Sequence, residues 1–169
     1  MSGSQPPQQR GEPRRLTPVQ QRAWLAYIRV ELRMNYEMHR QLQSDSGLSL
    51  SDYHILVALT NAPHGRMRVA DLAAQIGWER SRVSHHLRRM CERGLVERRP
   101  SPDDGRVTDT SLTASGREAI TQAAPGHVEL VQRLFFDSIP DELVAPLTAA
   151  LEHINVTLNL NSSLPPIPN

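Results

Sequence analysis

The residues best suited to bind another molecule form a basic segment from Arg80 to Arg93. Apolar side chains recur there at helical spacing, which predicts a helix with one packed face: Val83, Leu87 and Met90. The opposite face offers guanidinium, imidazole and hydroxyl groups: Ser81, Arg82, His85 and Arg89. These groups hydrogen-bond to base edges and phosphates, so the pattern is typical of a helix that reads DNA.

Flanking patterns place this helix in a larger unit. A shorter apolar stripe predicts a supporting helix before it: Val69, Leu72, Ala73 and Ile76. Gly77 ends that helix and Gly94 ends the next one, because glycine adopts the backbone of a helix stop. Strand-forming residues follow at Leu95–Val96 and from Val107 to Leu112, around a turn with its tip near Pro102 to Gly105. The order predicts a winged helix-turn-helix.

Local charge supports this interpretation better than total charge does. The whole chain has a formal net charge of +1, but residues 66–106 contain ten Arg against six acidic residues, a local net of +4. A basic segment in an otherwise slightly acidic chain is expected of a surface that displaces counterions from phosphates. The alternative for charge alone is a solvated helical face.

Three stretches resemble the MarR (multiple antibiotic resistance regulator) family of dimeric, winged-helix bacterial transcription factors. They are RSRVSHHLRRMCERGLVERR at 80–99, DDGR at 103–106 and SLTASGRE at 111–118. The resemblance implies a mainly α fold with a small two- or three-stranded antiparallel wing. In this fold the winged helix-turn-helix is flanked by N- and C-terminal dimerisation helices.

The resemblance also implies roles for individual residues. Ser81, Arg82, Ser84, His85 and Arg89 lie on the helix expected to enter the major groove, with Arg82 predicted to read guanine. Arg106 is expected to enter the minor groove, oriented by Asp104, although the pair could instead form a structural salt bridge. Six further residues divide between phosphate contacts and solvated charge: Arg68, Arg80, His86, Arg88, Arg98 and Arg99.

The remaining chain is predicted to hold two copies together. Thr17, Pro18 and Gln20 form a helix start, and an apolar stripe follows to about Leu42. Ser49 and Asp52 begin the next helix, which ends before Pro63. Thr113 opens a helical region to about Ser138, kinked at Pro125–Gly126, and a last helix has a bend or late start at Pro146. A homodimer would present half-sites about 34 Å apart, whereas a monomeric core is the alternative.

These patterns give five predicted regions. Residues 1–15 are a disordered arm, 16–48 a dimerisation helix and 49–112 the DNA-binding domain. Residues 113–160 form further dimerisation helices, and 161–169 form a flexible tail. No apolar run approaches the roughly 20 residues that span a bilayer, so we expect a cytoplasmic protein. Cys91 is predicted to be a small buried residue.

Other functions have weaker support. The chain has no Gly-x-Ser-x-Gly, phosphate-loop, Cys-x-x-Cys or His-Glu-x-x-His motif, so we expect neither an enzyme nor a cofactor. The resemblance implies a small-molecule effector such as an aromatic or phenolic acid. Its predicted pocket residues, for which core packing is the alternative, are Tyr27, Tyr36, His39, Tyr53, His54 and Leu56. His39 and His54 lack a third partner for a zinc site, so no metal is predicted.

Taken together, the patterns predict a homodimeric regulator on a pseudo-palindromic DNA operator, acting as a repressor that a ligand relieves. An activator or architectural DNA-binding protein is one alternative. Another is a ligand- or partner-binding module that uses the same fold without DNA.

Overall fold

The structure is a computed structural model that describes residues 15–101 and 108–164. The described residues are mainly helical with one small antiparallel sheet, which confirms the predicted fold class. The chain divides between Met34 and Asn35 into two units. In chain order the helices and strands are α1 Pro18–Ser46, α2 Leu50–Asn61, β1 Arg66–Arg68, α3 Val69–Ile76, α4 Arg80–Glu92, β2 Val96–Pro100, β3 Thr108–Leu112, α5 Ala114–Leu134 and α6 Asp141–Asn161.

The helix starts are set by side chains that satisfy exposed backbone N–H groups. Thr17 and Gln20 bond reciprocally before α1, with distances of 2.9 and 3.3 Å. Ser49 and Asp52 form a complete capping box before α2. Thr113 Oγ1 accepts a 3.0 Å hydrogen bond from the backbone N–H of Gly116 at the start of α5. All three starts agree with the sequence prediction.

Helix lengths differ from the prediction at several ends. Helix α1 continues past Leu42 to Ser46. Helix α5 includes Pro125 and ends at Leu134, before a short 3-10 turn at Phe136–Ser138. Helix α6 begins at Asp141 and includes Pro146. The predicted late start at Pro146 is therefore wrong, and Pro125 lies within α5, the helical region predicted to contain it. Proline removes one hydrogen bond from a helix, but the hydrogen bonds of the neighbouring turns can keep the helix continuous.

The sheet has the strand order β1-β3-β2, with both neighbouring pairs antiparallel. The hairpin register pairs Val96 with Leu112 and Pro100 with Thr108. The third strand, β1, pairs with the other side of β3 and precedes α3 directly. The sheet therefore joins the start of the helix-turn-helix to the hairpin that follows it.

The hydrophobic core of the second unit fixes α4 against α2 and α3. Val83, Leu87 and Met90 are 0% exposed. They pack in one cluster with Leu56 and Leu59 of α2, with Leu72 of α3, and with Leu112 of β3. Each fully buried side chain of this size stabilises the fold by about 1.5–3 kcal/mol. The packed face of α4 is the one predicted from its spacing.

The described part of the first unit, residues 15–34, has no buried residue. Within it the Trp24 and Tyr27 rings stack, with centroids 5.5 Å apart. None of the helices in 15–101 and 108–164 has the length and hydropathy of a membrane-spanning segment. The first fourteen residues of the predicted disordered arm at 1–15 and the last five residues of the predicted tail lie outside the described residues.

Candidate nucleic-acid interface

The turn between α3 and α4 sets the direction of the second helix. Gly77 has φ of +70°, and its N–H donates to the Ala74 carbonyl at 3.2 Å. The N–H of Trp78 donates to the Ala73 carbonyl at 2.9 Å, which closes a glycine helix stop. A side chain at position 77 would strain this backbone. Helix α4 then begins at Arg80, as the sequence predicted.

The outer face of α4 is polar and exposed. Ser81, Arg82, His85, Arg88 and Arg89 are exposed, and Ser84 is half-buried. At 100° per residue, Ser81, His85 and Arg88 point most directly away from the buried apolar residues Val83, Leu87 and Met90. Arg88, predicted as a phosphate contact, therefore lies on the same outward ridge as the predicted base-reading residues.

One cleft beside this ridge lies at the N-terminus of α3. Three arginines line it with a hydroxyl group, namely Arg68, Arg80, Arg98 and Ser84. The first residues of α3 also line it, including Asp71, which is the one acidic side chain among the described residues of the cleft. Backbone N–H groups at a helix start favour anions, and the arginines add three positive charges. The structure thus brings together three of the predicted phosphate contacts.

A second cleft lies on the other side of α4, at the N-terminus of α2. Its basic side chains are Arg82, His85, His86, Arg89 and Arg93, and Trp78 forms part of its wall. Helical geometry directs Arg80 and Ser84 nearly opposite to Arg82 and Arg89. The outward ridge of α4 is therefore flanked by an arginine-lined cleft on each side.

Asp52 is a buried carboxylate in the second cleft, with 2% of its surface exposed. Oδ1 accepts a 2.8 Å hydrogen bond from His86, and Oδ2 accepts bonds from Arg93 at 2.7 Å and the Ser49 N–H at 2.9 Å. Burial alone would raise the pKa of Asp52, but the hydrogen bonds from His86, Ser49 and Arg93 hold it well below its usual range. The carboxylate therefore stays charged and joins α2 to α4.

His86 does not have the predicted role of a phosphate contact. It is 8% exposed, and both ring nitrogens have partners within the protein: Nε2 contacts Asp52 and Nδ1 contacts Arg89. A ring with both nitrogens engaged has no group left for DNA. Helical spacing places His86 beside the packed face, three residues after Val83 and four before Met90, but its carboxylate partner comes from α2 and gives no local signal.

Two further arginines have aromatic or acidic neighbours. The Cζ atom of Arg82 lies 3.9 Å from the centroid of the Trp78 ring, a cation–π contact. Arg99 Nη2 bonds to Glu97 Oε2 at 2.8 Å on the exposed face of the hairpin. Arg99, a predicted phosphate contact, thus forms an ion pair with Glu97 on the protein surface. The predicted wing residues Asp104 and Arg106 lie outside the described residues.

The predicted ligand-pocket residues do not share one environment. Leu56 is 0% exposed in the core, so its assignment as a pocket residue was wrong and the packing alternative is correct. Tyr53 is also in the core, where its ring lies 4.4 Å from that of His127. His39 Nδ1 accepts a 3.4 Å hydrogen bond from the Leu50 N–H. The remaining three predicted pocket residues are exposed: Tyr27, Tyr36 and His54.

The structure also bears on metal binding and on the reactivity of the single cysteine, Cys91. Within 15–101 and 108–164, no three His, Cys, Asp or Glu side chains are grouped to hold a metal ion. Cys91 is half-buried rather than fully buried, and burial raises the pKa of its thiol. A raised pKa leaves less of the reactive thiolate at neutral pH.

Sequence reasoning missed Trp78, Arg93 and the tertiary partners of Asp52. Asp52 was recognised only as a helix-capping residue. Its partners His86 and Arg93 are 34 and 41 residues away along the chain, so no local pattern connects them. Trp78 carried a weak signal, since a single large aromatic residue directly follows the glycine of the turn.

Comparison with known proteins identifies the family. Residues 46–107 match the family model described as MarR family. The HTH-type transcriptional repressor IacR of Pseudomonas putida is 32% identical over 112 residues, which cover 66% of this chain and 64% of IacR. The matched stretch therefore spans just under two thirds of that curated relative.

Two solved structures from Streptomyces coelicolor are similar over almost their full length. The MarR family regulator AbsC is 36% identical, with a TM-score of 0.80, and the match covers 86% of this chain and 98% of AbsC. Sco3205, solved in complex with DNA, is 33% identical with a TM-score of 0.82, over 90% of this chain and 99% of Sco3205. This chain belongs to the MarR family of winged-helix, DNA-binding transcriptional regulators, and it is not an enzyme.

Proposed function

We propose that this regulator binds a pseudo-palindromic operator as a homodimer and represses transcription from it. The observation that supports sequence-specific binding most directly is the outward ridge of α4 with an arginine-lined cleft on each side. A major groove is about 12 Å wide and admits one helix, and phosphate backbones border it on both sides. The ridge suits base edges and the clefts suit phosphates.

The roles within this interface follow from position. Ser81, His85 and Arg88 face the base edges, and Arg82 and Arg89 reach them from the side of the second cleft. Arg68, Arg80 and Arg98 take phosphate contacts in the first cleft, with Ser84 as a neutral donor. Asp104 and Arg106 keep their proposed position in the minor groove, where Arg suits the negative potential of a narrow A/T-rich segment.

Dimerisation is supported by apolar side chains that the single chain leaves uncovered. Helix α6 has no buried residue, and its exposed apolar residues are Leu143, Leu151, Ile154, Val156, Leu158 and Leu160. The first unit exposes another set: Leu16, Val19, Trp24, Leu25, Tyr27, Val30 and Leu32. Monomers rarely expose so many large apolar groups, and a second copy of the chain supplies a matching apolar surface.

Repression is proposed because IacR, a relative over most of this chain, is named a transcriptional repressor. A dimer seated on an operator within a promoter blocks polymerase without needing a further activating surface. Relief by a small aromatic acid stays part of the proposal, with exposed Tyr36, His39 and His54 as its remaining candidate contacts in the second unit. Such an effector changes DNA affinity only if it binds one conformation of the dimer better than another.

The deciding experiment is selection from a random duplex pool with the purified protein, followed by anisotropy titration of the winning site across salt concentrations. We expect a two-fold motif with half-sites about 10 base pairs apart and a steep loss of affinity with salt. Enrichment of no motif would contradict specific recognition, and enrichment of a single half-site by a monomer would contradict the dimer. Transcription in vitro from a promoter with the selected site then tests the sign of regulation.

A further inference from the structure

Arg89 and Arg82 are the two recognition-helix arginines whose guanidinium groups have defined neighbours in the second cleft. Arg89 Nη2 lies 2.8 Å from His86 Nδ1, and Arg82 lies over the Trp78 ring. The Trp78 ring in turn contacts His86 edge-on, with centroids 5.6 Å apart and planes at 85°. Both arginines are therefore connected to one buried histidine.

The hydrogen-bond partners define which nitrogen of His86 bears the proton. Arginine has only N–H donors, so Nδ1 of His86 accepts the bond from Arg89. Nε2 must then bear the hydrogen, which it donates to the Oδ1 atom of Asp52. Asp52 selects this tautomer because a buried carboxylate only accepts hydrogen bonds. The result is a series of two hydrogen bonds that joins Asp52 through His86 to Arg89, with Arg89 donating to His86 and His86 donating to Asp52.

This series of hydrogen bonds begins inside the protein at Asp52 and ends at Arg89, on the DNA-facing side of α4. Asp52 is held by Arg93 and the Ser49 N–H as well as His86, so the inner end is rigid. An arginine that is already held in one direction loses less rotamer freedom when it meets a base edge than a fully mobile one. Arg82 and Arg89 are exposed, yet their directions are set by the half-buried Trp78 and the buried His86.

We propose that Asp52, His86 and Trp78 are positioning residues for sequence readout: the Asp52–His86 pair orients Arg89, and the Trp78 ring orients Arg82. This proposal rests on sequence-specific DNA binding as described above. It assigns specificity to residues that do not touch DNA. Removing a positioning residue should therefore lower affinity for the operator more than affinity for unrelated DNA.

The test is a double-mutant cycle on full-length protein with the selected operator and an unrelated duplex. His86→Leu fills a similar volume and removes both hydrogen bonds. We expect about a tenfold loss of operator affinity, within the range for one lost arginine–base contact. Affinity for the unrelated duplex and the salt dependence should stay within twofold of wild type. In an Arg89→Ala background, His86→Leu should have no further effect.

Two controls separate positioning from loss of folding. Met90→Ala creates a cavity on the buried side of α4 and removes none of the hydrogen bonds among Asp52, His86 and Arg89, so it should lower stability but leave the ratio of operator to unrelated affinity unchanged. The Trp78→Leu and Arg82→Ala pair repeats the cycle at the second arginine, and Trp78→Phe, which keeps an aromatic face, should restore most of the specificity. This second cycle decides the proposal if His86→Leu does not fold.

Equal loss on operator and unrelated DNA, or additive losses in both cycles, would overturn the positioning role while leaving the proposed function intact. If the wild-type protein itself showed no preference for any sequence, the proposed function would fail first and positioning for readout would fail with it.

Discussion

The guanidinium of Arg93, at the C-terminal end of α4, donates a 2.7 Å hydrogen bond to Oδ2 of Asp52 in the first turn of α2. A second bond, of 3.0 Å, joins Arg93 to the Gly47 carbonyl in the turn before α2. The recognition helix is thus tied to α2 by charge at one end as well as by apolar packing along its length. Movement of α2 is expected to move the DNA-reading helix with it.

Substitution of Arg82 should relax readout at one base position. Arg82→Ala removes a bidentate donor, and we expect about 1–3 kcal/mol less discrimination at a single position of each half-site. Selection of binding sites by the variant protein measures this directly. Arg40→Ala, at a largely exposed surface ion pair on α1, is the matched control and should leave the motif unchanged. Uniform weakening on all sequences would contradict base reading by Arg82.

The arginines of the first cleft should contribute equally to the binding of any DNA sequence. Arg68→Ala and Arg98→Ala are each expected to weaken operator and unrelated DNA by a similar factor, because phosphates are the same at every position. Each loss should lower the slope of log affinity against log salt by about 1. Anisotropy titrations at several salt concentrations measure both quantities. A changed motif with an unchanged slope would instead place these arginines on bases.

The exposed apolar face of α6 should control oligomeric state. Ile154 is 55% exposed in the single chain, so Ile154→Asp should cost the monomer little and disfavour any apolar interface that covers it. We expect sedimentation equilibrium to show a dimer for wild type and a monomer for the variant, with weaker operator binding. Glu152→Asp, two residues earlier and also exposed, is the control. A wild-type monomer would contradict the dimer outright.

Asp52 should make stability sensitive to acid. Its pKa in the folded protein lies below the ordinary value of 3.8, so the unfolded chain takes up the proton first as the pH falls. The stability from this carboxylate is complete above the ordinary value and is lost progressively below it. Urea unfolding at pH 6 and pH 3 should therefore show a smaller pH effect for Asp52→Asn than for wild type.

At neutral pH the same variant should lose about 1.5–3 kcal/mol of unfolding free energy, as expected for hydrogen bonds to a charged group. Asp45→Asn, at an exposed position on α1, should match wild type at both pH values within about 0.5 kcal/mol. An equal pH effect for wild type and Asp52→Asn would show that the Asp52 carboxylate does not contribute.

Two glycines of α5 offer a matched pair for packing. A Cβ atom at Gly116 would collide with the backbone carbonyl of Leu95, whereas one at Gly126 meets the end of the flexible Gln41 side chain at 2.9 Å. Alanine is favoured over glycine within a helix by about 0.5–1 kcal/mol, so Gly126→Ala should be neutral or slightly stabilising. Gly116→Ala should lower the thermal midpoint by several degrees, and similar midpoints for the two variants would refute the collision.

Local signals explain why much of the fold was predictable. The Thr17, Ser49 and Thr113 caps act within three residues of their partners, and the spacing of Val83, Leu87 and Met90 reports a packed helix face. The start of the last helix was less predictable, as Pro146 shows, because a helix with other support tolerates one missing hydrogen bond. Of the predicted interface, most of the α4 residues proved to be exposed; Ser84 is half-buried and His86 is buried.

By itself the sequence determined the order of elements, the glycine stop at Gly77 and the concentration of arginine along α4, since all of these depend on near neighbours. Tertiary structure alone decided what the buried histidine of α4 does. Helical spacing places His86 beside the packed face and His85 away from it, but only the packing of α2 supplies the buried Asp52 carboxylate that His86 bonds. Long-range electrostatic pairing of this kind leaves no periodic trace in the chain, so it becomes visible only when α2 and α4 are packed together.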